Sequence, residues 1–554
     1  MSELNVGAQL RPSGGQFTIE VCEAMSVDRV HRPLIMGLHG AVAANHPLAA
    51  QAGVDVLKRG GKAVDAAVAV SLALGVVEPA MSGLGADGFF HIYAAAEKRS
   101  EVFNGSGPAP KRASRAMFAS GLPESGPLSV SLPGKLAALG CMHDRHGSVA
   151  WEELVRPAIE IAERGFGATR VFCEFAEDAR MRLKEDPRSA ARFLGKSPGD
   201  ILVNPDLALS LRMIACDGWQ TFYRGRLADR LITAFEDVGV LIGRDDLAEF
   251  HCEITAPISM NYRGLEIHQT GPNSTGFTML QILKILENFD FRGLSRTDQI
   301  HVTVEAKKLA FIDRDRFSTD PRFGEIPLEH LLSSAYAQHL ASRIDLGRAA
   351  DVPIGRARLN SDTTYFCVVD GEGNAVSAIQ SNASTFGSGV TAGDTGIVLN
   401  NRLGWWELDP RLANALEPGK RISHTMNAPL VFEDGRLWGV LGTPGADNQV
   451  QVNVQMLTAM ADLELDPQAA AERPRWISSQ RGQGVAWRNV GDGRLAIERD
   501  VGKDVMAGLE SRGHVLDILP HLGGACAAGA IRVLSNGMRM AGSDPRRDGW
   551  AAAY

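Results

Sequence analysis

The stretch NSDTTYFCVVDGEGNAVSA, Asn360 to Ala378, reads as a β-hairpin with an unusual beginning. Tyr365 to Val369 is aromatic and β-branched, Asp370-Gly-Glu-Gly-Asn374 is turn chemistry, and the strand pattern resumes at Ala375. Two adjacent hydroxyl residues, Thr363 and Thr364, follow Asp362 at the strand start. Threonine suits a strand, so the pair has an ordinary structural reading. It also has a chemical one. A threonine hydroxyl is a poor nucleophile until a base takes its proton. At a chain N-terminus the α-amine, with a pKa of about 7.7–8.0, is that base. A mid-chain threonine acquires it only if the chain is cut just before it.

The surroundings decide the matter. The segment DTTYFCVVDGEGNAVSAIQSNASTFGSGVTAGDTGIVLNN (Asp362 to Asn401) resembles the small-subunit start of the γ-glutamyltranspeptidase family of N-terminal-nucleophile hydrolases. Further matches follow in family order: HPLAAQAG, GGKAVDAAVA, EPAMSGLGADGFF, VSLPGKL, RPAIEIAERGF, HVTVEAKKLAFIDRDRF, GTPGAD and the late GSDPRRDG. The resemblance implies an α+β fold, the four-layer αββα sandwich. It implies self-cleavage between Asp362 and Thr363, giving a large subunit, 1–362, and a small subunit, 363–554. Thr363 becomes the nucleophile and its freed amine the general base. Thr364 matches the second threonine of the family pair. Ser381 stands where the family has a threonine that hydrogen-bonds the nucleophile. Gly445 and Ala446 match a Gly-Gly pair whose N–H groups form the oxyanion hole. Alanine supplies the same N–H if its φ is negative or the strain is tolerated.

The departures bear on substrate. The arginine that grips a γ-glutamyl carboxylate falls at about Ser106. The acidic residues that bind its α-amine fall at Arg402 and Trp405 in LNNRLGWWELD. A Ser-Ser pair becomes His424-Thr425, and an expected asparagine becomes Ala383, with Asn382 beside it. A cation in place of an amine-binding acid repels an ammonium. Arg402, His424 and Trp405 suit a carboxylate or neutral acyl group. Each also has a plain reading: Arg402 in a salt bridge, for instance to Glu407 or Asp409, His424 as a satisfied core histidine, and Trp405 and Trp406 as packing. The His-Thr variant resembles a branch that includes oxamate amidohydrolase-like and cephalosporin acylase members. The expected activity is hydrolysis or transfer of an acidic acyl amide. The rivals are a γ-glutamyl hydrolase or transferase acting on glutathione and an unprocessed, inactive metabolite-binding protein.

The bulk properties agree with an ordinary globular enzyme. The chain has 554 residues, 45% hydrophobic and 22% charged, with net charge −8 and no basic block, which argues against nucleic-acid or anionic-membrane partners. Seven scattered cysteines without a C-x-x-C pair read as reduced thiols. The first residues carry no apolar signal core, so a cytoplasmic location is expected. The longest apolar run, Ala63 to Val77, contains Asp65 and is too short to cross a bilayer. It reads instead as a buried helix, preceded by a helix capped by Asn45 and ended at Gly60-Gly61. The glycines of SGLGADGFF lead into a strand and lack a following G-K-[ST], which disfavours a phosphate loop. Residues 150–250 read as helical and charged, and GFTMLQILKILENFDF and DQIHVTVEAKKLAFIDRDRF as two more amphipathic helices, with FIDRDRF as a solvated helix end or a set of internal ion pairs. Residues after 360 read as strands, among them GIVLNN, APLVFED and RLWGVLG. No metal-ligand spacing stands out and no cofactor is implied. The expected partners are a small amide substrate and the two subunits for each other.

Overall fold

The computed structural model describes residues 31–352, 362–480 and 493–554. The hairpin forms as its pattern dictates: Asp362–Asp370 pairs antiparallel with Ala375–Ala383. Its turn is closed by Asp370, whose carboxylate accepts from the Glu372 and Asn374 N–H groups. The hairpin is the middle of a seven-stranded sheet. Gly40–Ala44 and Trp550–Ala553 extend it on one side; Asp87–Ala94, Arg99–Asn104 and Glu253–Thr255 extend it on the other. A second seven-stranded sheet runs Ile35–Gly37, Arg539–Ser543, Gly529–Val533, Arg436–Gly442, Leu430–Glu433, Leu265–Gln269 and Ile258–Tyr262.

Alternation along the strands makes the layers. Tyr365, Cys367, Val369 and Ile379 point between the sheets, where they meet Leu430, Phe432, Val440 and Ile531. Phe366, Val368, Val376 and Ala378 point outward to the helices Pro47–Lys58, Ala63–Val77 and Lys135–His146. The second sheet buries Ile267, Val431 and Leu441 under the helices Gly276–Leu286, Arg296–Phe317 and Asn448–Ala461. The result is helix, sheet, sheet, helix, with strands from both sides of residue 363 in each sheet.

Local expectations hold with some corrections. Ala63–Val77 is buried along its whole length, and Asp65 in its first turn accepts the Lys62 N–H and the Ser148 hydroxyl. The preceding helix is capped by the His46 ring accepting the Leu48 N–H, not by Asn45. GIVLNN makes only isolated bridges, Thr391 to Val398 and Gly85 to Leu399. Gly387, Gly389, Gly393 and Gly396 all adopt positive φ around it, coiling the segment instead of extending it. FIDRDRF divides: Arg316 is exposed, whereas Arg314 is buried and paired with Asp315 and Asp447, and buried Asp313 accepts from Gln281 and Tyr336. No helix among the described residues is long and apolar enough to cross a membrane. The first 30 residues lie outside the described residues.

Candidate active site

The register of the hairpin brings the candidate nucleophile to its partner. A bulge between Asp362 and Thr364 lets Thr363 face Ser381, and the Thr363 Oγ1 donates to the Ser381 Oγ at 3.3 Å. The Ser381 hydroxyl also accepts the Ala383 N–H at 2.8 Å, which turns the chain out of the strand with Ala383 at φ +81. Thr364 points to the opposite face. Its hydroxyl donates to Glu78 Oε2 at 2.6 Å, tying the strand to the end of the Ala63–Val77 helix. Thr363 is 1% exposed, so its hydroxyl is enclosed in the continuous chain.

Gly445 and Ala446 form a turn between the strand Arg436–Gly442 and the helix Asn448–Ala461. Among the described residues neither N–H donates a hydrogen bond, which leaves both for a ligand. The turn is tightly held. A side chain at Gly442 would strike the Tyr365 ring, and one at Gly445 would strike the Cys526 sulfur. Arg314 reaches from the Arg296–Phe317 helix to pair with Asp447 at 2.8 Å. Ala446 has φ +50, so the negative-φ condition is not met and the turn carries the strain. Ala383 and Phe386 also hold positive φ. Strained backbone of this kind is commonest where structure is held for function.

Arg402 and His424 meet at a group the sequence reading did not single out, Asp87. It opens the strand Asp87–Ala94 directly opposite Ser381 and is fully buried. Its Oδ2 lies 3.3 Å from Arg402 Nε and 3.4 Å from His424 Nε2, and its Oδ1 accepts the Gly107 N–H. A carboxylate facing Arg402 is thus Asp87, and Asp409 pairs with Arg411. His424 Nδ1 accepts the Met426 N–H, which places the ring proton on Nε2 toward Asp87. Ser106 adjoins this group through Gly107. Its hydroxyl bonds Asn104 and Asn273, and Asn273 O accepts the His424 N–H. Thr425 is buried beside His424, its carbonyl accepting from Asn427. Trp405 lies under the Arg402 guanidinium at 4.7 Å and shares an apolar cluster with Ala383, Ala446, Leu403, Trp406 and Phe118. Asn382 is drawn away to the other face: its N–H and Nδ2 donate to the Met81 and Pro79 carbonyls.

Asp87 and Glu78 were within reach of sequence reasoning. Both lie in EPAMSGLGADGFF, and a carboxylate inside so apolar a run must have a partner or a task. What the sequence could not supply was the identity of partners more than 280 residues away.

A group of side chains with metal-ligating chemistry, His301, Glu305 and His514, lies elsewhere. His301 Nδ1 bonds His514 Nε2, His301 Nε2 bonds the Asp345 carbonyl, and Glu305 holds Lys308 and the Ala350 N–H. With its atoms engaged in this way and an ammonium against the carboxylate, the group is a structural network.

The family profile described as Gamma-glutamyltranspeptidase matches residues 49–554. The glutathione hydrolase-like YwrD proenzyme of Bacillus subtilis is 38% identical over 93% of this chain and 99% of its own length. The oxamate amidohydrolase proenzyme of Klebsiella pneumoniae is 34% identical over 93% of this chain and 98% of its own. The crystal structure of cephalosporin acylase from Bacillus halodurans superposes with a TM-score of 0.87 at 31% identity, covering 100% of this chain and 99% of that one.

Proposed function

The chain belongs to the γ-glutamyltranspeptidase family of hydrolases and acylases, and from that premise we propose that it is a self-processing amide hydrolase using Thr363 on an amide with an acidic acyl group. In the precursor the Thr363 hydroxyl attacks the Asp362 carbonyl, the acyl group shifts from nitrogen to oxygen, and water releases the ester. Residues 1–362 and 363–554 remain together because each sheet takes strands from both. In turnover the new α-amine takes the Thr363 Oγ1 proton, the oxygen attacks the substrate carbonyl, and the Gly445 and Ala446 N–H groups bear the oxyanion. The amine leaves, and water or an acceptor amine releases the acyl group.

The observation that carries the substrate reading is the engagement of Asp87 by both Arg402 and His424. The buried acid Asp87 is already held by a guanidinium and an imidazole N–H. An α-ammonium entering there would meet the Arg402 cation, with the Asp87 carboxylate already engaged. A carboxylate or carbonyl on the acyl group meets donors instead. Incubating purified protein with γ-glutamyl-p-nitroanilide, oxamate and glutaryl amides tests this. Turnover of the γ-glutamyl substrate alone would refute the substrate reading while leaving the Thr363 chemistry intact.

A further inference from the structure

A small cavity of about 30 Å³ lies between the first turns of the helix Arg296–Phe317, the middle of the helix Asn448–Ala461 and residues 473–476. Phe291, Ile300, Met456 and Trp476 give it apolar walls. Its charged wall has one sign. Arg296, Arg473 and Arg475 line it, and among the described residues no aspartate or glutamate does. Arg475 is buried and pairs with Asp544 at 2.6 Å. Arg296 and Arg473 meet only neutral oxygens. Arg296 Nη2 donates to the Pro474 carbonyl at 3.1 Å, and Arg473 Nη2 donates to Gln299 Oε1 at 3.3 Å. The two arms cross one gap from opposite sides. Arg296 reaches from the helix to the residue after Arg473, and Arg473 reaches back to the helix one turn beyond Arg296.

We propose that this cavity is a binding site for a small tetrahedral oxyanion, inorganic phosphate or sulfate, held between Arg296 and Arg473. A guanidinium has five N–H donors, and the single bonds to Pro474 and Gln299 leave most of them for a ligand. The other polar groups of the wall bond one another: Gln455 Nε2 donates to the Trp476 carbonyl and Thr303 Oγ1 to the Gln299 carbonyl. The neighbouring acids along the chain are engaged elsewhere. Asp298 pairs with Arg512, and Glu472 accepts from the Arg32 N–H and from Gln468.

Charge and size select the ligand. Burial without a counter-charge pushes the Arg473 pKa down to about 10, a penalty that an anion beside it removes. Arg296 is the first residue of a 22-residue helix, whose N-terminal end also favours negative charge. Two guanidinium forks match a doubly charged ion with paired oxygens, whereas a monocarboxylate leaves one cation unmatched. At roughly 10–15 Å³ for each water, the void holds two or three waters, close to the bulk of a phosphate or sulfate ion. The site is separate from the Asp87 group. Arg314, which pairs with Asp447, stands near the other end of the same helix, about 27 Å along its axis. A bound ion would fasten the start of a helix whose end supports the Gly445–Ala446 turn, without touching the substrate.

Calorimetric titration of the full-length protein with sodium phosphate, at an ionic strength held constant with sodium chloride, tests this. The expected result is saturable binding of one ion per chain, displaced by sulfate. Phosphate should also raise the melting temperature, because it binds the folded chain alone. Arg296→Gln and Arg473→Gln should each weaken binding at least tenfold, as expected for a lost charged hydrogen bond, while keeping the wild-type circular dichroism spectrum. Wild-type protein that shows no saturable binding up to tens of millimolar phosphate would overturn the proposal. So would phosphate binding that persists unchanged in either folded variant. The titration needs no turnover, so its outcome is independent of the Thr363 chemistry.

Discussion

Thr363 Oγ1 hydrogen-bonds Ser381 Oγ across the hairpin at 3.3 Å, before any new N-terminus exists. The partner of the proposed nucleophile is therefore positioned by strand register, not by processing. Thr363→Ala should leave a single full-length band on a denaturing gel, where the wild type gives fragments of about two thirds and one third of the mass. Ser381→Thr keeps the hydroxyl and should process and turn over within a few-fold of wild type. Ser381→Ala should slow turnover by roughly the 100-fold typical of a lost hydrogen bond to a reacting group. N-terminal sequencing of the smaller wild-type fragment should begin Thr-Thr-Tyr-Phe. Another start in active material would remove the mechanism.

Arg402 and Asp87 form a buried pair, so changing either exposes the charge of the other. Arg402→Gln should lower turnover of acidic acyl amides by about one to two orders of magnitude, in line with a lost charged contact. It should also shift the preference toward acyl groups bearing an ammonium, because Asp87 is then less compensated. The measurement is the ratio of kcat/KM for a glutaryl amide and its γ-glutamyl counterpart. An unchanged ratio would mean that Arg402 only packs.

The turn that presents the Gly445 and Ala446 N–H groups is held by Arg314 through Asp447. Ala446→Gly removes a left-handed strain of about 1–2 kcal/mol but adds backbone freedom to the unfolded chain. It should leave melting temperature and kcat close to wild type. Ala446→Val, β-branched at φ +50, should lower both. Arg314→Gln removes the buried guanidinium that pairs with Asp447 and Asp315 and should cost about 3–5 kcal/mol. If Arg314→Gln and Ala446→Val both behave like wild type, the turn is not the oxyanion site.

Much of this arrangement was legible in the sequence, for identifiable reasons. The hairpin was readable because strand residues and an Asp-Gly-Glu-Gly-Asn turn are local signals. The helix Ala63–Val77 was readable as buried because it is apolar on every side. GIVLNN misled because its β-branched residues were weighed above the glycines that coil the segment. FIDRDRF was left open because a run of charges looks alike whether it meets water or Asp447. Arg402 was placed near the site, but its partner was sought among nearby acids. A partner that it does meet, Asp87, arrives on a strand paired with Ser381, a relationship set by sheet order and invisible to local pattern.

Lys135 offers a test of the core rather than the chemistry. It opens the Lys135–His146 helix, is fully buried, and its ammonium has no hydrogen-bond partner among the described residues. Its Nζ lies 3.3 Å from where a side chain at Gly75 would begin. Burial pushes its pKa down from the usual lysine range to about 7. Between about pH 7 and 10 the unfolded chain therefore binds a proton that the folded chain does not. Stability must rise with pH across that window, and the penalty of the buried charge is fully present below it. Lys135→Met should raise the melting temperature most at pH 6–7, and its advantage should shrink steadily toward pH 10. Thermal melts of wild type and variant at matched pH isolate this group from all others that titrate. An advantage that stays constant with pH would mean that the Lys135 amine is already paired in solution, by ordered water or an anion, and keeps its ordinary affinity for the proton.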